Sequence, residues 1–572
     1  MKPIERLVNV ANKKDKAELV IKNAKIFNGF SKTFKIADVA IDSGYIAGVG
    51  EYSGQNELDA KGALLTPGFI DGHVHIESGM ASPLEFAKTL VANGTTTIIA
   101  DPHEIANVAG IKGLEYLLKA TDDLPISVYM MLPSCVPATP LEMGGASLNA
   151  EDLKPFLKHP RVLGLGEMMN YPGVLNNDPE VMAKLHMAEN HIIDGHAPEL
   201  MGTALNAYAT AGIRSDHECT KPEEALARIE NGIAVMLREG SAAKNLLSLL
   251  DVVNDNTAPF CFFATDDRHP EDLIEQGHIN YLVKLASEDG RVSLENILNL
   301  ASLNAARHFG LRELGAIAPG FKADLALFSD TKNWKPSHVW KAGKLVVENG
   351  EVLGAYQKVD ESAIRNSVRL QPLTDDCLKV KATASKVRVI GLIPNQLLTE
   401  HLIMQLPSIN GEFKALPEQD IIKIAVFERH RNSGNIGVGF IKGLGLKSGA
   451  IASTIAHDSH NLVVAGVTDA DMLLAVAEIQ RIGGGLAIVE NGKVLASLAL
   501  ELGGLLSDQP MTEIKKQLAL MQQTVRKLGL TEGHDPFMTL AFMSLPVIPY
   551  LKITENGLVD ITTFSVVPTV VE

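Results

Sequence analysis

Two histidines separated by one residue stand in the run Pro67-Gly68-Phe69-Ile70-Asp71-Gly72-His73-Val74-His75. Alternate side chains of an extended strand point the same way, so His73 and His75 can approach one metal ion together from a strand end. Farther along, short apolar runs close on ionisable residues: GLGE at Glu167, DGH at His196, SDH at His217, and ATDD at Asp266 and Asp267. Four imidazoles and two carboxylates gathered at one mouth suit one or two first-row divalent cations, with a carboxylate able to bridge a pair. Taken singly, each is equally a strand-end polar residue that caps a turn or makes a salt link. Their recurrence at successive strand ends favours a shared centre.

Such a centre needs elements that all end at one place. Eight apolar segments, 67–75, 95–101, 127–134, 162–168, 191–197, 212–218, 234–240 and 260–267, alternate with helical stretches, as βα units require. An α/β fold with a closed (β/α)8 TIM barrel over 67–312 is expected, since that fold takes about 250 residues and places its chemistry at the C-terminal strand ends. An open doubly wound sheet shares the periodicity; ionisable residues at the C-terminal end of nearly every strand favour the barrel. Strand-and-turn texture in 1–66, with turns at Asn28-Gly29 and Ser43-Gly44, recurs in 313–357 with Asn349-Gly350. The two pieces read as one small β-sandwich domain into which the barrel is inserted. A C-terminal α/β domain is expected over 378–572, with a hairpin at Asn491-Gly492 and helical spacing in DMLLAVAEIQRI.

Composition narrows the function classes. The chain has 572 residues, 46% of them hydrophobic, which excludes disorder and a single small module. With 52 basic against 68 acidic residues the formal charge is −16, which disfavours a nucleic-acid partner. Cys135, Cys219, Cys261 and Cys377 are dispersed, so neither a disulfide frame nor a structural zinc is expected. The charged N-terminal stretch has no signal-like apolar segment and no long apolar run follows, so a cytoplasmic protein without a membrane partner is expected.

The motifs TPGFIDGHVHIES, ADPHEIANVAG, GLGEMMNYPGV, DGHAPEL, SDHE, MLREGSA and ATDDRHPEDL resemble the amidohydrolase superfamily. With IASTIAHDSHN and VENGKVLASLALELGGLLS the likeness extends over nearly the whole chain, and is to the bacterial adenine deaminases within that superfamily. Shorter relatives bridge their metals with a carbamylated lysine at the fourth strand end; Glu167 stands there in this chain. The resemblance implies that His73 and His75 with Asp266 bind one metal, that His196 and His217 bind the other, and that Glu167 bridges. It implies hydrolytic deamination of adenine to hypoxanthine in purine salvage, with water activated between two ions, manganese or ferrous iron, while the ligand set also permits zinc. Asp266 and Glu167 would share the proton transfers. Asp101, His103 and Glu104, Arg238 and Glu239, and Asp267 and His269 are candidate substrate contacts, or else plain caps and ion pairs. His457, Asp458 and His460 form a further motif that either reaches the barrel mouth or caps a turn. A homo-oligomer, such as a dimer, is expected. The rival readings are a cyclic amidohydrolase acting on another heterocycle and a catalytically inactive scaffold.

Overall fold

A computed structural model describes residues 2–394, 396–530 and 535–571. Asn395, 531–534 and Glu572 of the expected C-terminal domain lie outside the described residues.

Eight parallel strands follow one another around a barrel: β1 (Phe69–Val74), β2 (Thr95–Ala100), β3 (Ser127–Leu132), β4 (Val162–Met168), β5 (Ile192–Gly195), β6 (Ser215–Asp216), β7 (Ala234–Arg238) and β8 (Cys261–Ala264). Each pairs only with its sequence neighbours. The circle is completed where Asp266 N donates to His73 O at 2.9 Å and Val74 bridges Asp266. Strand residues such as Thr95–Ala100 are buried throughout, because core lies on one face and helices on the other. The observed strands are shorter than the apolar runs suggest. Ser215–Asp216 is all that pairs of the expected 212–218, since the residues beyond leave the ladder to turn their side chains across the mouth.

The two flanking pieces share one nine-stranded sheet. Leu64–Pro67 joins them: it runs parallel to Ala17–Asn28 and antiparallel to Leu325–Phe328. Pro67 therefore belongs to this sheet, and barrel strand β1 begins two residues later at Phe69. Ile21, Ile26, Val39, Ile46 and Leu65 from the first piece pack with Leu325, Leu327 and Trp340 from the second.

Beyond residue 380 a second nine-stranded sheet forms, with Ile421–Phe427 and Leu462–Gly466 near its centre. Helix Asp469–Ile482 lays Met472, Ala475, Val476 and Ile479 on Ala452, Val464 and Ala487. Thr468 caps its first turn and Gly483, at φ +80°, ends it. Asn491 and Gly492 both have positive φ, as the tight turn between Glu490 and Lys493 demands.

Candidate active site

The strand ends converge on Glu167. Its Oε1 lies 3.3 Å from His75 Nε2 and 3.8 Å from His73 Nε2, while its Oε2 lies 2.7 Å from His196 Nδ1 and 3.3 Å from His217 Nε2. One carboxylate thus shows one oxygen to each imidazole pair. Asp266 Oδ1 stands 3.2 Å from His75 Nε2 and 3.8 Å from His73 Nε2, on the side of the first pair. His73, His75, Glu167 and His217 are at most 3% exposed.

Hydrogen bonds outside the cluster aim these groups. His75 Nδ1 sits 2.9 Å from the Asp101 carbonyl, which only accepts, so the ring proton is on Nδ1 and the Nε2 lone pair faces the centre. Asp101 Oδ2 accepts the backbone N–H of Glu167 at 3.0 Å and its Oδ1 accepts that of His103 at 3.1 Å. Asp71 accepts from His73 N and from the Thr265 backbone and hydroxyl, tying β1 to β8. Asp216 accepts from Glu218 N and from the buried Arg228 guanidinium. Asp266 is held at φ +57°, a strained value for a residue with a β-carbon, by the backbone bonds that close the barrel.

The donor set fits divalent cations. His73 Nε2 and Glu167 Oε1 are buried without a hydrogen-bond partner. His196 Nδ1 and His217 Nε2 face one another at 3.2 Å beside the same oxygen. Ligand atoms about 2.1 Å from a shared first-row ion lie roughly 3.0–3.5 Å apart, and the distances here, from 2.7 to 3.8 Å, bracket that spacing. Burial would raise the Glu167 carboxyl, yet the surrounding imidazoles of His103, His196, His217 and His75 hold it well below the usual range. Burial likewise opposes, and the His75 hydrogen bond and Arg238 charge outweigh, so that Asp266 also stays ionised.

The other expected residues divide between wall and support. Glu104, Asp267 and His269 line a cavity, together with Glu77, Met80, His457, His460 and Phe542; it adjoins the centre through Asp267, next in sequence to Asp266, and Glu104, next to His103. Asp101 and His103 are in contact with each other, and His103 Nδ1 is 3.3 Å from Glu167 Oε1. Arg238 turns to Asp266 Oδ2 at 2.8 Å and to Glu218, rather than to the cavity. Glu239 is buried, with its carbonyl accepting from Arg268. Asp458 is buried beside His457. Sequence reasoning passed over Glu218, 3.5 Å from His217 Nε2, and the supporting Asp71 and Asp216. A repeated signal was present: aspartate precedes histidine by one or two residues at Asp71, Asp101, Asp194 and Asp216. Among the described residues no helix is long and apolar enough to cross a membrane.

Residues 64–346 match the model of the amidohydrolase family, and residues 396–565 match that of the adenine deaminase C-terminal domain. The chain is 56% identical to adenine deaminase 2 of Carboxydothermus hydrogenoformans, covering 99% of this chain and 100% of that one. It is 45% identical to adenine deaminase of Clostridium acetobutylicum, covering 98% and 99%. Among solved structures, a β-aspartyl dipeptidase from Fervidobacterium islandicum covers 60% of this chain and 99% of its own, at 17% identity and a TM-score of 0.45.

Proposed function

The chain belongs to the adenine deaminase family of amidohydrolases, and from that premise we propose that it hydrolyses adenine to hypoxanthine and ammonia. The observation that carries the reading is Glu167, with one oxygen toward His73 and His75 and the other toward His196 and His217. In this reading His73, His75 and Asp266 would hold one divalent cation, His196 and His217 would hold a second, and Glu167 would serve both. Manganese or ferrous iron suits these nitrogen and oxygen donors, and zinc is compatible with them. Bound there, the two cations supply the positive charge that brings the pKa of water toward neutrality.

The chain's own residues manage the proton. Water adds its oxygen to C6, one of its protons goes to ring N1, the C6–N bond breaks, and the other proton leaves on the departing amine as ammonia. Asp266 is placed to take that proton and hand it on, because its carboxylate is ionised and borders the centre, and the next residue, Asp267, lines the cavity. Arg238, at 2.8 Å from Oδ2, fixes the carboxylate's rotation and leaves Oδ1 for the centre. A positioned acid–base group of this kind contributes about 10²- to 10⁴-fold. Charge, dispersed cysteines and the small neutral substrate agree with a cytoplasmic place in purine salvage.

The test is an adenine assay on protein expressed with manganese, following adenine absorbance and ammonia release together with metal content. Stoichiometric ammonia and about two ions per chain are expected. Turnover of a cyclic amide with adenine untouched would sink the proposal.

A further inference from the structure

The cavity adjoining the centre is not enclosed by the barrel alone. Glu104, on helix His103–Ala109 after strand β2, lies on its barrel side. The facing side comes from the C-terminal region, where His457 stacks on Phe542 with ring centroids 4.8 Å apart. Two histidines of that region reach across to Glu104: His457 Nδ1 stands 3.0 Å from Oε1, and His460 Nε2 is hydrogen-bonded to Oε2. Glu104 is 3% exposed and His460 1%, so neither contact is a surface ion pair.

A carboxylate and two imidazoles this close can be a cation site or a hydrogen-bonded clamp, and the tautomer separates the two. Ala456 N donates to His460 Nδ1 at 3.2 Å. A ring nitrogen that accepts a hydrogen bond carries a lone pair, so the proton of the neutral ring is on Nε2. His460 Nε2 then has no lone pair for a metal and donates to Glu104 instead. His457 Nδ1–H supplies a second donor to the other oxygen. Each oxygen of an ionised carboxylate offers about two acceptor directions. His103 Nε2 also stands 3.5 Å from Oε1, so Oε2 is the oxygen with a direction left for the cavity that Glu104 lines.

We propose that His457 and His460 are positioning residues by which the C-terminal region holds Glu104 toward the cavity, where that carboxylate accepts an N–H of the bound purine. The surroundings fit the same ligand: Met80, Leu505 and Phe542 line the cavity with apolar surface suited to the faces of a flat heterocycle. The C-terminal region thereby contributes to substrate affinity, while proton transfer stays with the strand ends of the barrel. This inference rests on the reading of the cavity as an adenine site.

The test uses full-length, manganese-loaded protein carrying His457→Ala or His460→Ala. Loss of a donor to a buried charged group predicts a rise in KM for adenine of about 10- to 100-fold, with kcat changed far less. Hypoxanthine binding, followed by calorimetry, weakens by a similar factor, and metal content is unchanged. His457→Asn and His460→Gln, whose amide groups stand in for Nδ1 and Nε2, recover most of the loss. A fall in kcat at constant KM, or the loss of one ion per chain, overturns the proposal. So does equal damage in the alanine and amide variants. An unaltered protein that neither turns over adenine nor binds hypoxanthine overturns the functional reading itself, and this inference with it. An active protein whose variants keep their KM overturns this inference alone.

Discussion

At the scale of single residues, Glu167 and Asp266 are both buried carboxylates among imidazoles, yet they face different neighbours. Glu167 is surrounded by histidines, whereas Asp266 has a guanidinium on its second oxygen. The proposed division of labour follows from that difference. Glu167→Gln removes the negative charge that both imidazole pairs share, so metal content falls below two ions per chain. Retention of both ions would remove Glu167 from the bridging position. Asp266→Asn keeps the shape and the Arg238 contact but cannot take a proton, and kcat drops by at least about 10²-fold with the thermal midpoint nearly unchanged. Near-normal kcat would strike Asp266 from the proton path. Glu218 and Arg238 show what residue types alone do not disclose. Both are conspicuous charges at strand ends, but their partner is Asp266 or a histidine of the centre, chosen by strand order around the barrel.

At the scale of elements, the site depends on how closely neighbouring strands approach. Gly166 lies in β4 immediately before Glu167, and a β-carbon there would come within 2.0 Å of Asp101 Oδ2 and 3.0 Å of the Leu132 carbonyl. Asp101 is the carboxylate that anchors the Glu167 backbone. Gly166→Ala therefore displaces Glu167 without altering any proposed ligand, and metal content and kcat both fall. Gly202→Ala is a steric control, since nothing lies within 4 Å of the added carbon, although φ at +61° adds some strain there. If Gly166→Ala retained metal and activity, the Asp101 brace would be dispensable. The strand order and its polar ends were legible in sequence because short apolar runs and βα spacing are local properties. The shortening of β6 to two residues was not, since pairing ends where side chains are drawn toward partners on other strands.

At the scale of the whole molecule, a buried arginine ties the C-terminal region together beside the cavity. Arg429, fully buried, donates to the His460 carbonyl, to Gly503 O at 3.0 Å and to Ser367 Oγ at 2.9 Å. Burial lowers its pKa to about 9, which leaves it charged at neutral pH. Arg429→Met strands several buried acceptors and costs about 3–5 kcal/mol locally. A lowered thermal midpoint and a raised KM for adenine are expected together, because His460 loses its backbone anchor. A midpoint within about a degree of the parent would show that these acceptors find other donors. Farther out, Met143 N donates to Glu555 Oε1 at 2.9 Å and Asn461 donates to Met143 O at 3.0 Å, so a loop after β3 is fastened to the same region.

The sequence by itself determined the βα alternation, the histidines and carboxylates at its strand ends, and their suitability for divalent cations, because each rests on short-range periodicity and on side-chain chemistry. Closure of the barrel is seen where Asp266 meets β1. The flanking pieces were also readable as parts of one sheet, although their junction at Leu64–Pro67 was not. Only the tertiary structure decided which charges meet. Arg238 answers Asp266 across 28 residues, and His460 answers Glu104 across 356. Contacts at such separations carry no local pattern. They arise when packed elements bring distant chain segments to one cavity, and burial then requires each polar atom to find a partner there.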